Sequence, residues 1–189
     1  ADPTRNLPVV QHKGVALRDI TVHGKSAHTS QPEFGVNAIH GMMHVGERIA
    51  SYEDSLQASH ANPLVTGPRI TPTLIQGGVG RNTVPDRCTV GVDFRIVPGR
   101  DSSRERQKLM DFLSDSDFKI THGEASVLVS PLSTPTDHAS VRSVVEICRD
   151  VLGEDVEPLG APYGTNASRW RTDVPAVIIG PGDIKHAHA

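Results

Sequence analysis

The chain has 189 residues, of which 4% are aromatic, and its valine, isoleucine and leucine content is typical of a globular protein. Its formal net charge of −3 at pH 7 gives no reason to expect a nucleic acid or an anionic membrane as partner. No apolar run approaches the roughly 20 residues that span a bilayer. We therefore expect neither nucleic acid nor membrane among the partners.

Hydrophobic periodicity predicts a strand and then a helix in the first part of the chain. The strand covers residues 12–23, and a slip in its alternation indicates a bulge near residues 18–19. The helix covers residues 36–51. Its apolar stripe is formed by Ile39, Met42, Met43, Gly46, Ile49 and Ala50. His40 and His44 are spaced to grip a metal, but a solvated helix face is favoured because no third ligand is near in sequence.

Two further strands are predicted beyond a loop at residues 59–69 that contains prolines and a glycine. The first covers residues 70–76 and leads into a glycine turn at 77–80 that requires a positive φ. The second has the cleanest alternation in the chain. Its apolar side, which we expect helices to cover, consists of Cys88, Val90, Val92, Phe94 and Ile96. The side chains of Asp93 and Arg95 should then lie on the opposite face of the sheet, which no helix covers.

A second helix and a last strand complete this unit. Ser102 and Glu105 form a capping box for a helix over residues 103–113, and a strand follows near 118–129. The order β-α-β-β-α-β is that of a ferredoxin-like fold, in which an antiparallel sheet carries two helices on one face. Such a sheet can leave its other face open to a partner.

The remaining residues predict an incomplete α/β unit after a linker at 130–136. Asp137 should cap a helix that runs to residue 152, and a short helix is expected at 166–171. The apolar run at 174–179 is typical of a parallel strand buried on both faces. The chain is thus predicted to consist of the end of a preceding segment (1–11), a first domain (12–129) and part of a second (130–189).

The two cysteines, Cys88 and Cys148, lie on apolar faces of a predicted strand and a predicted helix. Buried free thiols are favoured over a disulfide. This cysteine usage favours a reducing, cytoplasmic location.

A small-residue turn bearing one histidine lies between the first strand and the first helix. Residues 24–32 read Gly-Lys-Ser-Ala-His-Thr-Ser-Gln-Pro, so His28 has little side-chain bulk around it. A lone loop histidine is ordinarily a polar surface residue, and this turn alone assigns no function. Residues 35–39 continue this turn into the helix. Three further stretches accompany it along the chain: 1–4, then 77–86 with 93–95, and then 163–165 followed by 180–182 and His188.

Taken together, these stretches resemble the dinuclear-zinc deacylases and carboxypeptidases of peptidase clan MH, which include acetylornithine deacetylase, succinyl-diaminopimelate desuccinylase and aminoacylase. The resemblance covers essentially the whole chain. It implies an α/β protein with an α+β lid: a ferredoxin-like dimerisation (lid) domain, then the C-terminal piece of the zinc-peptidase α/β catalytic domain. It also implies a homodimer formed through the lid.

The resemblance implies a metal centre that this chain completes only in part. Relatives bind two zinc ions, with cobalt or manganese as substitutes, through two histidines and three carboxylates, while a separate glutamate acts as base. Asp2 matches a carboxylate ligand, and His188 matches the C-terminal histidine. For Asp2 the alternative is a solvated terminal carboxylate; for His188 it is a frayed end, with His186 as competing ligand. No His-x-Asp and no Glu-Glu occurs in the sequence, so we expect the chain alone to be inactive.

Two lid residues are implied to act on the substrate. His28 matches the lid histidine that reaches the neighbouring subunit's site and donates a hydrogen bond to the tetrahedral oxyanion. Asn82 matches a lid position near the substrate.

Further substrate contacts are implied on the sheet and in a later loop. Arg95 matches a residue that binds the substrate carboxylate, a role that also suits a guanidinium on an open sheet face. The alternative for Arg95 is an ion pair with Asp93 or Asp86. A substrate-side loop is matched by Gly164, Thr165 and Asn166, where relatives more often have Gly-Thr-Asp.

The function expected from this resemblance is metal-dependent hydrolysis of the amide of an N-acyl amino acid or small peptide, with acetylornithine deacetylase-type chemistry leading. The alternative is a non-catalytic oligomerisation module, in which the 36–51 helix and an edge strand pair across a two-fold axis. A ferredoxin-like binding domain unrelated to zinc is the third hypothesis.

Overall fold

The computed structural model describes residues 2–58, 62–169 and 174–187. The strands are β1 (Val9–His12), β2 (Gly14–His23), β3 (Ala27–His28), β4 (Arg69–Gly77), β5 (Thr83–Val84), β6 (Arg87–Ile96), β7 (Lys119–His122), β8 (Val127–Val129), β9 (Leu132–Ser133) and β10 (Leu159–Ala161). The α-helices are α1 (Ala38–Ala58), α2 (Ser102–Ser114) and α3 (Ala139–Leu152), and short 3-10 helices cover Pro32–Phe34, Asn166–Arg169 and Ile184–His186.

A five-stranded antiparallel sheet with helices α1 and α2 on one face forms the first unit, which we call the lid. Its strand order is β4-β6-β2-β7, and β8 pairs with β2 beyond β7. The alternation predicted for β6 is confirmed, because every second residue from Cys88 to Ile96 is buried in the core between sheet and helices. This order of elements is the predicted ferredoxin-like arrangement.

The predicted bulge in the first strand is wrong. Strand β2 pairs with β6 without interruption from Gly14 opposite Ile96 to His23 opposite Arg87. By alternation along an unbroken strand, Arg18 shares the helix-covered face with Ala16 and Ile20, and its side chain is 9% exposed. The slip in the pattern therefore marks a buried arginine and an outward Leu17. The interruption lies instead in the strand that pairs with the other edge of β2, which is divided into β7 and β8.

The first helix is longer than predicted, and its buried stripe differs. The buried side chains are Ala38, Met42, Val45, Ile49, Tyr52 and Leu56. Met43, which the sequence pattern predicts on the apolar stripe, is 63% exposed. Tyr52 packs its ring 5.1 Å from that of Phe112 on α2, which ties the two helices together.

The predicted helix caps are each displaced by one residue. Asp101 caps α2 by accepting a hydrogen bond from the Arg104 amide, so Ser102 is already helical. His138, not Asp137, caps α3 through its side chain. The helix ends at Leu152, as predicted, and Gly153 follows it in the left-handed region at φ 69°.

A small three-stranded sheet, β10-β1-β9, forms the second unit, which we call the terminal unit. Strand β1 is parallel to β10 and antiparallel to β9, and α3 packs against it through Val141 and Val145. The parallel strand predicted at 174–179 is wrong, since only Ile178 bridges to Val9, and it does so antiparallel. Nor do the last apolar residues of α3 reach a core, because Val151 is 77% exposed.

Both cysteines are free and buried, which confirms the sequence-based expectation. Among the described residues, the helices are all too short or too polar to cross a membrane.

Candidate functional site

The lid histidine sits on a short antiparallel ladder that holds it beside Asn82. His28 on β3 lies opposite Thr83 on β5, and the Thr29 amide donates to the Asn82 carbonyl over 3.0 Å. His28 and Asn82 are both exposed. The structure thus brings together the two lid residues that the sequence singled out.

Glycines make this close ladder sterically feasible. A Cβ on Gly24 would lie 2.0 Å from the carbonyl oxygen of Val36, and one on Gly35 would lie 2.9 Å from that of Lys25. Lys25 and Val36 exchange backbone hydrogen bonds of 2.8 and 2.9 Å between these glycines. Any side chain at Gly24 would push this bridge apart and move the histidine turn.

Local hydrogen bonds set the tautomer of His28. Its Nδ1 accepts from the Ser30 amide at 3.2 Å and lies 2.8 Å from the Ser30 hydroxyl. A backbone N–H can only donate, so Nδ1 is the unprotonated nitrogen of the neutral ring. Nε2 then carries the hydrogen and is a donor on an exposed side chain.

Arg95 is engaged in the ion pair that was its alternative. Its Nη2 lies 2.7 Å from Asp93 Oδ2, and the two side chains are 30% and 19% exposed. Arg69 of β4 lies directly opposite Arg95, and its Nη1 lies 3.2 Å from Oε1 of Glu53 on α1, with which it forms an ion pair. A guanidinium has five N–H donors, so the ion pair leaves donors for a second carboxylate.

The two ends of the chain meet in the terminal unit. The Thr4 hydroxyl donates to the Gly180 carbonyl at 3.2 Å and accepts from its amide at 3.0 Å, while the Arg5 amide donates to the Gly182 carbonyl at 2.8 Å. Asp2 is therefore held beside the 180–182 turn. His188, its predicted partner as metal ligand, lies outside the described residues.

Tyr163 joins the later loop to this end of the chain. Its hydroxyl donates to the Pro3 carbonyl at 3.0 Å. Burial, together with the negative charges of Asp2 and Asp183, raises the pKa of the Tyr163 phenol. These residues line or adjoin a cleft of about 340 Å³ between the first residues and β10.

The loop that follows Tyr163 is held by packing and capping. Gly164 lies against Val15 and Val129 of the lid, and a Cβ there would come within 3.0 Å of Val15. Thr165 is buried, and its hydroxyl accepts from the Ala167 amide at 3.2 Å at the start of a 3-10 helix. Asn166 is exposed. Of these three matched loop residues, Asn166 alone presents an exposed polar side chain.

Sequence reasoning missed a buried polar pair where β1 passes into β2. Lys13 is 2% exposed, and its ammonium donates to the Thr66 hydroxyl at 2.9 Å and to the Gly67 carbonyl at 2.6 Å. Burial and the charges of Arg69 and Arg95 lower its pKa. The sequence did carry a signal for this buried pair, because His12 and Lys13 stand together between two apolar stretches.

His12, the other member of the pair, is fully buried. Its Nδ1 donates to the Lys13 carbonyl at 2.9 Å, while its Nε2 has no hydrogen-bond partner among the described residues. Burial lowers the pKa of His12, and the charge of Asp2 opposes that shift. His12 therefore lies within electrostatic reach of the predicted metal ligand.

The described part of the chain does not form a metal centre by itself. Within residues 2–58, 62–169 and 174–187, no three histidine, cysteine, aspartate or glutamate side chains are placed to share an ion. Of the two matched ligands only Asp2 lies in this part, together with His186, the alternative to His188. The chemistry of a metal site would therefore need donors beyond these.

Comparison with known proteins agrees with this architecture. Acetylornithine deacetylase of Aliivibrio salmonicida is 31% identical over 196 residues, covering 99% of this chain and 50% of that protein. The Proteus mirabilis enzyme of the same name is 30% identical over 197 residues, covering 99% of this chain and 48% of its own length. The chain thus spans about half the length of the curated relatives it matches.

Solved structures share the fold. A tripeptidase from Staphylococcus aureus superposes with a TM-score of 0.67 at 21% identity, over 95% of this chain and 46% of that one. A dipeptidase from Saccharomyces cerevisiae gives 0.64 at 12% identity, over 96% of this chain and 50% of that one. The family model described as the peptidase dimerisation domain of M20 type matches residues 10–121. The chain therefore belongs to the M20 peptidase dimerisation domain family.

Proposed function

We propose that the chain is part of a metal-dependent amidohydrolase that cleaves the amide of N-acyl amino acids or small peptides, as its resemblance to acetylornithine deacetylase suggests. In this proposal residues 12–129 are the lid, and residues 1–11 and 130–189 belong to an incomplete catalytic domain. The observation that carries the proposal is the placement of His28, an exposed imidazole whose Nδ1 is fixed as acceptor by Ser30.

His28 is the proposed oxyanion donor. Attack on an amide carbonyl builds negative charge on its oxygen, and a preorganised N–H directed at that oxygen lowers the barrier. Nε2 of His28 has the required hydrogen, and the position of Asn82 beside the same ladder supports its proposed contact with the substrate. The donor would serve the site of the partner subunit.

Asp2 and His188 are the proposed metal ligands in this chain. The hydrogen bonds between Thr4 and Gly180 support a shared location for the two ends that carry them. Zinc is the proposed metal, and bound divalent zinc lowers the pKa of its water to about 7 and polarises a carbonyl. Arg95 and the Gly164–Asn166 loop, comprising Gly164, Thr165 and Asn166, are the proposed contacts for the substrate, with Arg95 taking its carboxylate.

A homodimer through the lid is the proposed assembly. Strand β4 is the outer strand of its sheet, and Leu74 and Ile75 on it are 69% and 67% exposed. An unpaired, apolar edge strand is a template for pairing with a second copy. Beside it, Gly46 of α1 has open space where a Cβ would stand, which allows another helix to approach closely.

The same surface supports a second candidate function, a dimerisation module without activity of its own. The two proposals differ in the activity expected of a longer protein that contains this chain and spans the full length of its relatives. A cytoplasmic location is also proposed, on the strength of the two free buried cysteines.

Kinetics of such a longer protein test the proposed function. With zinc or cobalt it should hydrolyse N-acetyl amino acids, and His28→Ala should lower kcat by about 100-fold or more with a much smaller change in KM, because an oxyanion donor acts in the transition state. His40→Ala, an exposed histidine on α1, is the matched control. A normal kcat in His28→Ala would remove the proposed role, and absence of turnover in the unmodified protein would favour the dimerisation module.

A further inference from the structure

Two arginines converge on one exposed carboxylate between α2 and the loop that joins β7 to β8. Arg18 Nη1 lies 3.8 Å from Glu124 Oε2, and Arg106 Nη2 lies 3.3 Å from Glu124 Oε1. Both contacts are longer than the 2.7–2.9 Å typical of a well-formed arginine–carboxylate hydrogen bond. Glu124 is 87% exposed, so water screens its charge.

Of the two arginines in this cluster, Arg18 is buried and Arg106 is partly buried. The side chain of Arg18 is 9% exposed and occupies a helix-facing position of the central strand β2. The side chain of Arg106 is 25% exposed, and its Nε is buried with no hydrogen-bond partner among the described residues. A buried guanidinium needs a counter-charge and hydrogen-bond acceptors, and an exposed single carboxylate supplies both only in part.

Two backbone carbonyls accept hydrogen bonds from these guanidiniums, but neither carbonyl supplies a counter-charge. Arg106 donates to the His122 carbonyl at 3.2 Å, and Arg18 lies 3.5 Å from the carbonyl of Gly123, so both guanidiniums border the same turn. Burial and the charges of these two arginines lower the pKa of His122. Within the described residues, Glu124 is the one acid that forms an ion pair with Arg18 or Arg106.

We propose that Arg18 and Arg106 form a binding site for a dianionic oxyanion of the phosphate type, in which Glu124 is an internal competitor. A phosphate between two guanidiniums can accept several charge-assisted hydrogen bonds and brings more charge than one carboxylate. Its oxygens would accept hydrogen bonds from the two Nη atoms that now contact Glu124. Glu124 lies on a surface turn and can swing into solvent when the anion enters.

Titration with sodium phosphate at pH 7.5, against sodium chloride at matched ionic strength, tests the site in the full chain. Calorimetry or amide chemical shifts would give the Kd. Glu124→Gln removes the competitor and should bind phosphate about 5-fold or more tightly than the unmodified chain. Arg106→Gln in the Glu124→Gln background should abolish this binding.

Matched variants control for surface charge. Arg104→Gln removes an exposed charge from the same helix, and Glu154→Gln removes an exposed acid beyond α3; neither should change phosphate binding. Phosphate affinity in Glu124→Gln no higher than in the unmodified chain, or equal affinity with and without Arg106, would overturn the proposal.

Discussion

The lid buries more apolar side chains in its core than the terminal unit does. In the lid, every second residue of β6 enters one continuous core shared with β2, α1 and α2. In the terminal unit, the two apolar clusters each hold three buried residues, and Ile147 and Val151 of α3 are 61% and 77% exposed. Since buried apolar area supplies most of the stability of a fold, the lid should be the more stable of the two.

The largest difference between the two units is expected for the same substitution at two equally buried valines. Val92 in the lid and Val141 in α3 are 2% and 0% exposed. Val92→Ala should cost about 2–3 kcal/mol of the free energy of unfolding, because the packed lid cannot collapse into the cavity, whereas Val141→Ala should cost about 1 kcal/mol. Urea unfolding measures both, and equal costs would contradict the comparison.

Two glycines offer a second matched test. A Cβ would lie 2.0 Å from the Val36 carbonyl oxygen at Gly24 in the lid, and equally close to that of Leu64 at Gly160 in β10. Gly24→Ala should cost about 2 kcal/mol and Gly160→Ala about 1 kcal/mol, since Leu64 belongs to a loop that can yield. Urea unfolding of the two variants measures these costs in the free energy of unfolding. A larger cost for Gly160→Ala than for Gly24→Ala would contradict the expectation.

The smallest expected effects are pKa changes at two histidines, the buried His12 of the terminal unit and the partly buried His122 of the lid. Burial lowers the pKa of both His12 and His122, so both rings should titrate below 6.5. Asp2→Asn should lower the pKa of His12 further and leave His122 unchanged, because the Asp2 charge opposes the shift at His12 alone. Arg106→Gln should raise the pKa of His122. Proton NMR of the ring signals would show both.

The same pKa shifts fix the sign of the acid response. The folded pKa of each histidine lies below its unfolded value, so the unfolded chain binds more protons as the pH falls below 6.5. Stability should therefore be complete above that pH and decline below it, until the folded pKa is reached. The NMR samples would give this dependence by urea titration.

Local sequence patterns predicted the lid well because the strands and helices that pack against one another in it all belong to the described residues. The alternation from Cys88 to Ile96 fixes which face is buried, and the order of elements then leaves few topologies. In the terminal unit, the apolar run at 174–179 has the pattern of a buried strand, yet Val174 and Ile179 are 48% and 39% exposed. A pattern reports what a segment would bury, whereas the structure reports what lies against it.

Polar side chains were the harder part of the sequence. Arg18 broke the apolar alternation and suggested a bulge, because a single sequence does not reveal that a charged side chain occupies a buried position of an unbroken strand. Lys13 drew no attention, since its partners Thr66 and Gly67 lie in a distant loop. His28 was recognised by its motif, and only the hydrogen bond from Ser30 reveals its tautomer.

Subunit mixing tests the central claim, that His28 completes a metal site in the partner subunit, most directly. In a longer protein that contains this chain and spans the full length of its relatives, His28→Ala and Asp2→Ala homodimers should each be nearly inactive. When the two are mixed and exchanged, each heterodimer has one intact site, so activity should return to about one quarter of the unmodified level at random pairing. Activity no greater than the sum of the two variants would contradict the account.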